Sequence, residues 1–402
     1  MSILRDITIK SLKSLENPEI LLFVGARQVG KTTILKQIQG DLVENGKTTN
    51  FLNLEDPDYL KLLNDSPKNL LKIFPFNLNE RTYLFIDEIQ YLKDPSNFLK
   101  YYYDEYRDKI KLIVSGSSAF YIDNKFKDSL AGRKEIFYVR TLSFREFLRF
   151  KNEEELSKKD FGGLSLSEID KIKLFYEEFI IYGGYPRVAL SPISEKEAVL
   201  HELAFSYVKK DILEAGIRKD EIFLKLFKIL ASGIGGLVNS SELAATLGIS
   251  KTAVDNYLYT MQKSFHICLL KPFFKNVRKE LTKMPKVYFF DLGLRNFLIN
   301  NFDSFAARSD KGVLLENAVF RQLIENHEED QIKFWRTSLK NEVDFIVDNK
   351  EALEVKANSK HFNAGKYKLF LDNYPEMSFE IVTFDAKEKK IKELKVVEAW
   401  EV

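Results

Sequence analysis

Cysteine is nearly absent. The 402 residues contain one, Cys268, so no disulfide can form within the chain. Its neighbours in Ile267-Cys-Leu-Leu270 are apolar, which predicts a small buried hydrophobe and not a reactive thiol. Histidine is scarce too: four scattered copies and one cysteine leave no zinc cluster, and His361 reads as a surface residue. No apolar run reaches membrane-spanning length, and Met1 to Asp6 lacks a signal-peptide core, so no membrane partner and a reducing, cytoplasmic setting are expected. Neither sign of charge dominates: the net charge is +2, so any surface for a polyanion must be local. Phenylalanine and tyrosine far outnumber tryptophan, a bias with no chemical message of its own. What remains is an ordinary globular composition, long enough for roughly two to four domains.

The stretch around which the chain is organised is Gly25-Ala26-Arg27-Gln28-Val29-Gly30-Lys31-Thr32, followed by Thr33. It matches G-x-x-x-x-G-K-[ST] in full, after an apolar run (Ile20 to Val24) and before a helical pattern (Lys31 to Ile38). Glycines let backbone N–H groups face inward and cradle phosphate oxygens beside a helix N-terminus. Lys31 supplies charge to the β- and γ-phosphates, and the Thr32 hydroxyl can hold Mg²⁺. An ordinary turn before a helix would not need Lys-Thr at those places. The cofactors expected are ATP and Mg²⁺.

Thr49 to Leu54, Tyr83 to Ile86 and Ile110 to Val114 are further strand-like runs separated by helical patterns, the signature of a parallel sheet with helices on both faces. The third of these four runs ends in Asp87-Glu88. Asp87 would anchor Mg²⁺ through water, and Glu88 would polarise the water that attacks the γ-phosphate. Strands often end in solvated carboxylates, so the pair gains its meaning from the phosphate loop upstream. Ser115 and Ser117 end the last run, placed to sense the γ-phosphate or to be plain turn formers. Arg133 is a candidate for an arginine acting on a phosphate, in a neighbouring subunit if the chain assembles. Arg140 is the runner-up, and a structural arginine on a solvated face is the competing reading of both.

Gly25–Thr32, the Asp87-Glu88 strand, Ser115-Gly-Ser-Ser118, Leu130-Ala-Gly-Arg133 and Leu142-Ser-Phe-Arg-Glu-Phe147 together resemble one family. It comprises bacterial and archaeal ATPases with an AAA-like P-loop domain fused to a C-terminal uncharacterised region, the AAA_14 plus DUF4143 architecture. Tyr182-Gly-Gly-Tyr-Pro-Arg187 is similar to another of its hallmarks. The resemblance implies ATP binding and hydrolysis and supplies no substrate.

Lys151 to Asp160 is a charge run that reads as a solvated linker or insertion. Helical periodicity resumes with Ile169, Ile172, Phe175, Tyr176 and Phe179 on one face, then from Ala198 to Leu213 with Leu203, Tyr207 and Ile212. These blocks suit the lid over the nucleotide in AAA-like proteins. Asn239 to Leu258 is a helix-turn-helix pattern: Ser240 or Ser241 as first cap, Gly248 as turn, Ser250 as second cap, and Val254, Tyr257, Leu258 and Met261 inward. Phe265 to Phe274 and Lys286 to Phe290 would form its wing. Lys251, Thr252, Asn256 and Lys263 would face a duplex, and from Leu237 to Lys286 basic residues outnumber Glu242, Asp255 and Glu280. DNA is therefore the expected macromolecular partner, with packing or subunit contact as the competing use of the same fold.

Gly312 to Leu323 is an amphipathic helix, followed by strand-like Ile332 to Arg336, Glu342 to Val347 and Ala352 to Lys356. Asp344, then Glu354-x-Lys356, with Glu316 upstream, matches the pattern of PD-(D/E)xK nucleases and resembles their restriction-endonuclease-like domain. Asp344 and Glu354 on neighbouring strands can hold Mg²⁺, and Lys356, two residues on, shares Glu354's face. It could orient water or stabilise developing phosphorane charge. E-x-K is common by chance, and acids outnumber Lys and Arg from residue 310 on, which does not help grip DNA.

The expected fold is α/β: a P-loop parallel sheet (1–150), a helical lid and linker (151–235), a winged helix-turn-helix (236–305) and a small restriction-endonuclease-like α/β domain (306–402). The expected function is Mg²⁺-dependent ATP hydrolysis controlling a DNA-binding, DNA-cleaving half. The competing reading is a nucleotide-switched, STAND-like protein-interaction protein whose nuclease-like domain is inert. A homo-oligomer or a partner protein is compatible with both.

Overall fold

Four strand-like runs of four to six residues are too short for buried helices, so they are expected to pair with each other in one sheet. In a computed structural model of the chain they do. The structure describes all residues except 1–2, 75, 78, 118–129, 215, 218, 275–279, 281–282, 359, 361, 387–388 and 392; Ser118 and His361 thus lie outside the described residues, as does the Tyr207 side chain. The chain forms two compact units, residues 1–140 with 263–265, and residues 141–262 with 266–402.

In the first unit, β1 (Ile20–Val24), β2 (Thr48–Asn53), β3 (Thr82–Asp87), β4 (Ile110–Gly116) and β5 (Lys134–Tyr138) form a five-stranded sheet in the order β2-β3-β4-β1-β5. All four pairings are parallel. β1, β3 and β4 are buried along their whole length, as apolar runs without alternation require. The edge strand β5, which begins Lys134-Glu135 and is only partly buried, gives no such signal in the sequence. The helices Lys31–Glu44 and Pro95–Tyr106 are among the crossovers, the second capped by the Asp94 side chain with Pro95 in its first turn.

The second unit opens with the helix Phe144–Phe150, whose Ser143 and Glu146 form a capping box. The charge run Lys151 to Asp160 is exposed over most of its length, as a solvated insertion would be, but it has local structure of its own. It contains the short helix Glu154–Lys158, with Leu156 and Ser157 buried and Arg145 donating to the Ser157 and Lys159 carbonyls at 2.8 Å each. The buried Leu156 and two long-range backbone acceptors outweigh the solvation of its lysines. The long helices Leu166–Tyr182 and Ile193–Glu214 follow. The Gly-Gly between Tyr182 and Tyr185 is a close-packed junction: a Cβ on Gly183 would come within 2.3 Å of Asp291 Oδ1, and the buried Asp291 accepts the Gly184 N–H at 2.8 Å.

The helix-turn-helix is present as Ser240–Leu247 and Lys251–Lys263, with Gly248 left-handed at the turn. Its first cap is Asn239, not Ser240 or Ser241: the Asn239 side chain accepts the Ser241 and Glu242 N–H groups. Ser250 Oγ caps the second helix through the Ala253 N–H at 3.1 Å. Val254, Leu258 and Met261 are buried. The hairpin β6 (Ile267–Leu270) and β7 (Lys286–Phe289) follows, with Cys268 buried in it.

The C-terminal sheet is six-stranded and mixed: β8 (Ile332–Arg336), β9 (Glu342–Val347), β10 (Glu351–Lys356), β11 (Ser378–Thr383), β12 (Lys390–Ile391) and β13 (Leu394–Glu398), in the order β12-β13-β11-β10-β9-β8. The helix Lys311–Asn326 packs against it and is buried continuously from Leu314 to Ile324. Among the described residues, no helix is long and apolar enough to cross a membrane.

Candidate functional site

The phosphate loop begins where β1 ends, and its first residue has to be glycine. A Cβ on Gly25 would sit 1.9 Å from the Val139 carbonyl oxygen, on a segment tied to β1 by the Val139 N–H bond to Val24 at 2.7 Å. Gln28 (φ 56°) and Gly30 (φ 97°) adopt left-handed conformations that curl the loop into the helix starting at Lys31. Ala26, Arg27 and Val29 are buried, while Gln28, Thr32 and Thr33 face solvent. Lys31 is buried, and its Nζ donates to the Gly25 and Ala26 carbonyls at 2.9 and 2.8 Å. The ammonium is thus held within the curve of the loop, beside the helix N-terminus where an anion is favoured.

The ends of β3 and β4 converge on this loop. Thr32 Oγ1 donates to Asp87 Oδ2 at 2.6 Å, and Asp87 Oδ1 accepts from Ser115 Oγ. Ser115 Oγ also accepts the N–H of Glu88, at 3.1 Å, and Glu88 itself sits at φ 59°. Thr32 and Asp87 fit a magnesium ion, since a hydroxyl and a carboxylate oxygen already meet at the mouth of a phosphate loop. The expected set Gly25–Thr33, Asp87, Glu88 and Ser115 is brought together.

Ser117 joins through a residue that sequence reasoning missed. Gln90 Nε2 donates to Glu88 Oε2 and, at 2.8 Å, to Ser117 Oγ. The 3₁₀ turn Ile89–Tyr91 points this amide back at the strand ends. A polar glutamine between apolar Ile89 and Tyr91-Leu92 is its one sequence signal. Arg5 was also missed, since a lone arginine belongs to no motif. Its guanidinium, almost fully buried, donates to the Val29 carbonyl at 2.9 Å and to the Arg140 carbonyl at 3.0 Å. Arg140 therefore follows β5 at the loop's end of the sheet. Arg133 lies at the opposite end: its carbonyl accepts the Ile20 N–H at the start of β1, and its Nε donates to Asp104 at 2.8 Å. The length of a five-residue strand, on the order of 15 Å, separates it from the loop of its own chain.

The second unit holds a cluster of acids. Asp344 on β9 lies one residue before Phe345 and Glu354 on β10 one residue after Leu353, the antiparallel partner of Phe345, so the two acids stand opposite each other on one face. Glu316 reaches the same cluster from the helix Lys311–Asn326. Burial first, and then the Asp344 charge, push the Glu316 and Glu354 carboxyls well above the ordinary carboxylate range. Asp344 Oδ2 accepts the Val355 N–H at 2.9 Å, and Tyr367 donates to Glu354 Oε1 at 2.6 Å. Lys356 shares Glu354's face as expected; its ammonium donates to Glu354 Oε1 and, at 3.0 Å, to the Val355 carbonyl.

A second lysine in the cluster overturns one expectation. Lys286, counted from the sequence among the phosphate-facing cations of the wing, is buried and forms ion pairs with Glu342 at 2.6 Å and Glu316 at 3.0 Å, and lies 3.8 Å from Asp344. Burial alone would lower its pKa, but the charges of Glu316, Asp344 and Glu342 outweigh that and hold it above the usual lysine range. It cannot face a duplex. Of the other expected contacts, Lys251, Thr252 and Asn256 are exposed and Lys263 is half-buried.

These acids do not fit a divalent ion in the arrangement seen. Glu354 Oε2 is a buried oxygen without a hydrogen-bond partner, which suits a metal. Yet Lys286 already pairs with Glu316 and Glu342, and Lys356 with the other oxygen of Glu354; among the described residues no three acidic, histidine or cysteine side chains converge as ion ligands.

Residues 17–148 match the family described as AAA domain, residues 174–304 a domain of unknown function (DUF8612), and residues 311–401 another (DUF4143). An uncharacterized protein of Methanocaldococcus jannaschii is 28% identical over 98% of this chain and 90% of its own length. One from Haemophilus influenzae is 27% identical over 76% of this chain and 74% of its own. Among solved structures, the Aeropyrum pernix ORC2 protein in its ADP form aligns at 16% identity and a TM-score of 0.34, over 65% of this chain and 84% of that one. AMPPCP-bound DnaA from Aquifex aeolicus aligns at 12% and 0.31, over 65% and 89%. At such scores the two structures add nothing to what the strand order already shows. With an AAA domain at one end and a DUF4143 region at the other, the chain belongs to the AAA_14 plus DUF4143 family of P-loop, ATPase-like proteins.

Proposed function

We propose that this protein binds ATP with Mg²⁺ and hydrolyses it, and that its nucleotide state controls engagement of DNA by the second unit. The observation that carries the reading is the 2.6 Å bond from Thr32 to Asp87 beside a phosphate loop whose lysine is already turned inward. In this reading Lys31 binds the β- and γ-phosphates, while Thr32 and Asp87 hold Mg²⁺. The ion would supply positive charge to the phosphoryl oxygens as charge builds on them. Glu88 accepts a proton from the attacking water. Ser115 and Ser117, the latter through Gln90, relate the γ-phosphate to the position of that carboxylate. Arg133 is remote from its own loop, so an arginine role for it implies a homo-oligomer in which it serves a neighbouring copy.

Residues 151–235 act as the lid, 236–305 as a winged helix and 306–402 as a restriction-endonuclease-like domain. Lys251, Thr252 and Asn256, exposed on the second helix of the helix-turn-helix, are the DNA contacts. ATP turnover with and without linear, branched and single-stranded DNA, run beside a cleavage gel, tests the whole reading. Turnover absent under every condition, or unchanged in Lys31→Ala, would overturn it. Cleavage, if present, should need Mg²⁺ and disappear in Asp344→Ala while ATP turnover persists.

The lysines standing on the acids favour a second reading, a nucleotide-switched protein-interaction protein with an inert nuclease-like domain. Duplex binding that weakens steeply with salt supports the first reading, and a flat salt response supports the second.

A further inference from the structure

Buried carboxylates repel one another unless a cation stands among them, and a protein can supply that cation from its own chain. In the second unit it comes from an unexpected element. Lys286 belongs to β7, the second strand of the hairpin after the helix-turn-helix, and not to the sheet that carries Asp344 and Glu354.

Its strand is fixed in place on both sides. Val287 exchanges backbone hydrogen bonds with Gly235 and Gly236 at 2.9 and 3.1 Å. Asn317, next to Glu316, pairs with both the N–H and the carbonyl of Phe289 at 2.8 Å. Tyr288 donates to Glu316 and stacks on Phe320 with ring centroids 4.8 Å apart. The ammonium therefore cannot swing aside as a surface lysine would.

We propose that Lys286 is the resident cation of the acidic cluster and closes it to divalent metal for as long as β7 is seated on the helix Lys311–Asn326. This rests on reading Glu316, Asp344 and Glu354 as a metal-type site, and it states what occupies that site. Glu316, Glu342, Asp344 and Glu354 face Lys286, Lys356 and Arg336, the last paired with Glu342. Even with all four acids ionised, a divalent ion added to that set would bring it to net positive charge in a buried place. With Lys286 withdrawn, the same ion would balance the acids, and the unpartnered Glu354 Oε2 would gain a ligand. Whatever shifts the hairpin after the helix-turn-helix decides whether the acids are available.

The test is Mn²⁺ binding to the full-length, nucleotide-free protein, read by electron paramagnetic resonance, with thermal unfolding in parallel. Wild type should bind Mn²⁺ weakly at this site. Lys286→Met should bind it about 10- to 100-fold more tightly, the range by which groups around metal ligands tune affinity, and adding Asp344→Asn should abolish the gain. Lys286→Met alone should melt below wild type and be raised toward it by Mn²⁺, while wild type is unmoved. Should Lys286→Met fail to fold, Lys286→Met/Glu342→Gln, which removes one charge of each sign, should show the same direction. Equal Mn²⁺ affinity in wild type and variant, or a variant whose melting ignores Mn²⁺, would overturn the proposal. If none of these proteins cleaves DNA while the affinities shift as stated, the nuclease reading fails and the resident lysine stands. If wild type cleaves DNA and the affinities do not shift, the nuclease reading stands and the resident lysine fails.

Discussion

Thr32 and Asp87, 55 residues apart, meet at 2.6 Å where the phosphate loop faces the end of β3. The contact joins the hydroxyl and the carboxylate that, in the proposed function, would hold an ion at the phosphates, with Glu88 the next residue in the chain.

Removing the base should separate binding from chemistry. Glu88→Gln should retain ATP with wild-type affinity and lose turnover by roughly 10²- to 10⁴-fold, the usual contribution of a positioned general base. Lys31→Ala should lose both. Equilibrium binding of a fluorescent ATP analogue, measured beside phosphate release, distinguishes the two.

Gln90 engages Glu88 Oε2 and Ser117 together. An oxygen already accepting a hydrogen bond is a weaker acceptor for a water proton. Gln90→Ala should therefore raise basal ATP turnover several-fold while KM stays near wild type. A fall in turnover would show that the amide orients the carboxylate instead of restraining it.

Gly25→Ala forces a Cβ against the Val139 carbonyl at 1.9 Å. The backbone of β1 or of the Val139 segment must move, at a cost of about 1–3 kcal/mol or more, as in overpacked cores. Thermal unfolding should show a lowered Tm, with ATP binding lost before the fold is.

Lys251 is exposed at the start of the second helix of the helix-turn-helix. If it meets a phosphate, Lys251→Ala should weaken binding across DNA sequences alike and lower the salt slope by about 1. Fluorescence anisotropy over a salt series reads both.

Glu398 on β13 is pushed up to about 7, first by burial, against an Ala386 N–H bond at 3.0 Å that favours the charged form. A carboxyl raised in the folded state favours folding while protonated. That contribution is whole below the ordinary carboxyl range and is lost as pH climbs through about 7. Glu398→Gln should flatten this part of the decline in Tm between about pH 4.5 and 7.5, and an unchanged profile would refute the assignment.

The amino-acid order alone determined whatever depends on neighbours in the chain. Gly25 to Thr32 carries its own turn conformations and its own helix start. The buried strands of the first sheet announce themselves as unbroken apolar runs, and Gly248 between two capped periodic segments specifies a helix-turn-helix. Tertiary structure decided which distant side chains meet. Gln90 reaches Ser117, Arg5 reaches Val29 and Arg140, and Lys286 leaves the wing surface for the acids of another sheet. It also decided that Arg133 lies away from its own phosphate loop, because the edge strand β5 pairs with β1 without an apolar run to mark it. Local conformation is set by steric preferences a few residues wide, whereas the partner of a buried charge is chosen by which strands pair, and no short window of sequence holds that choice.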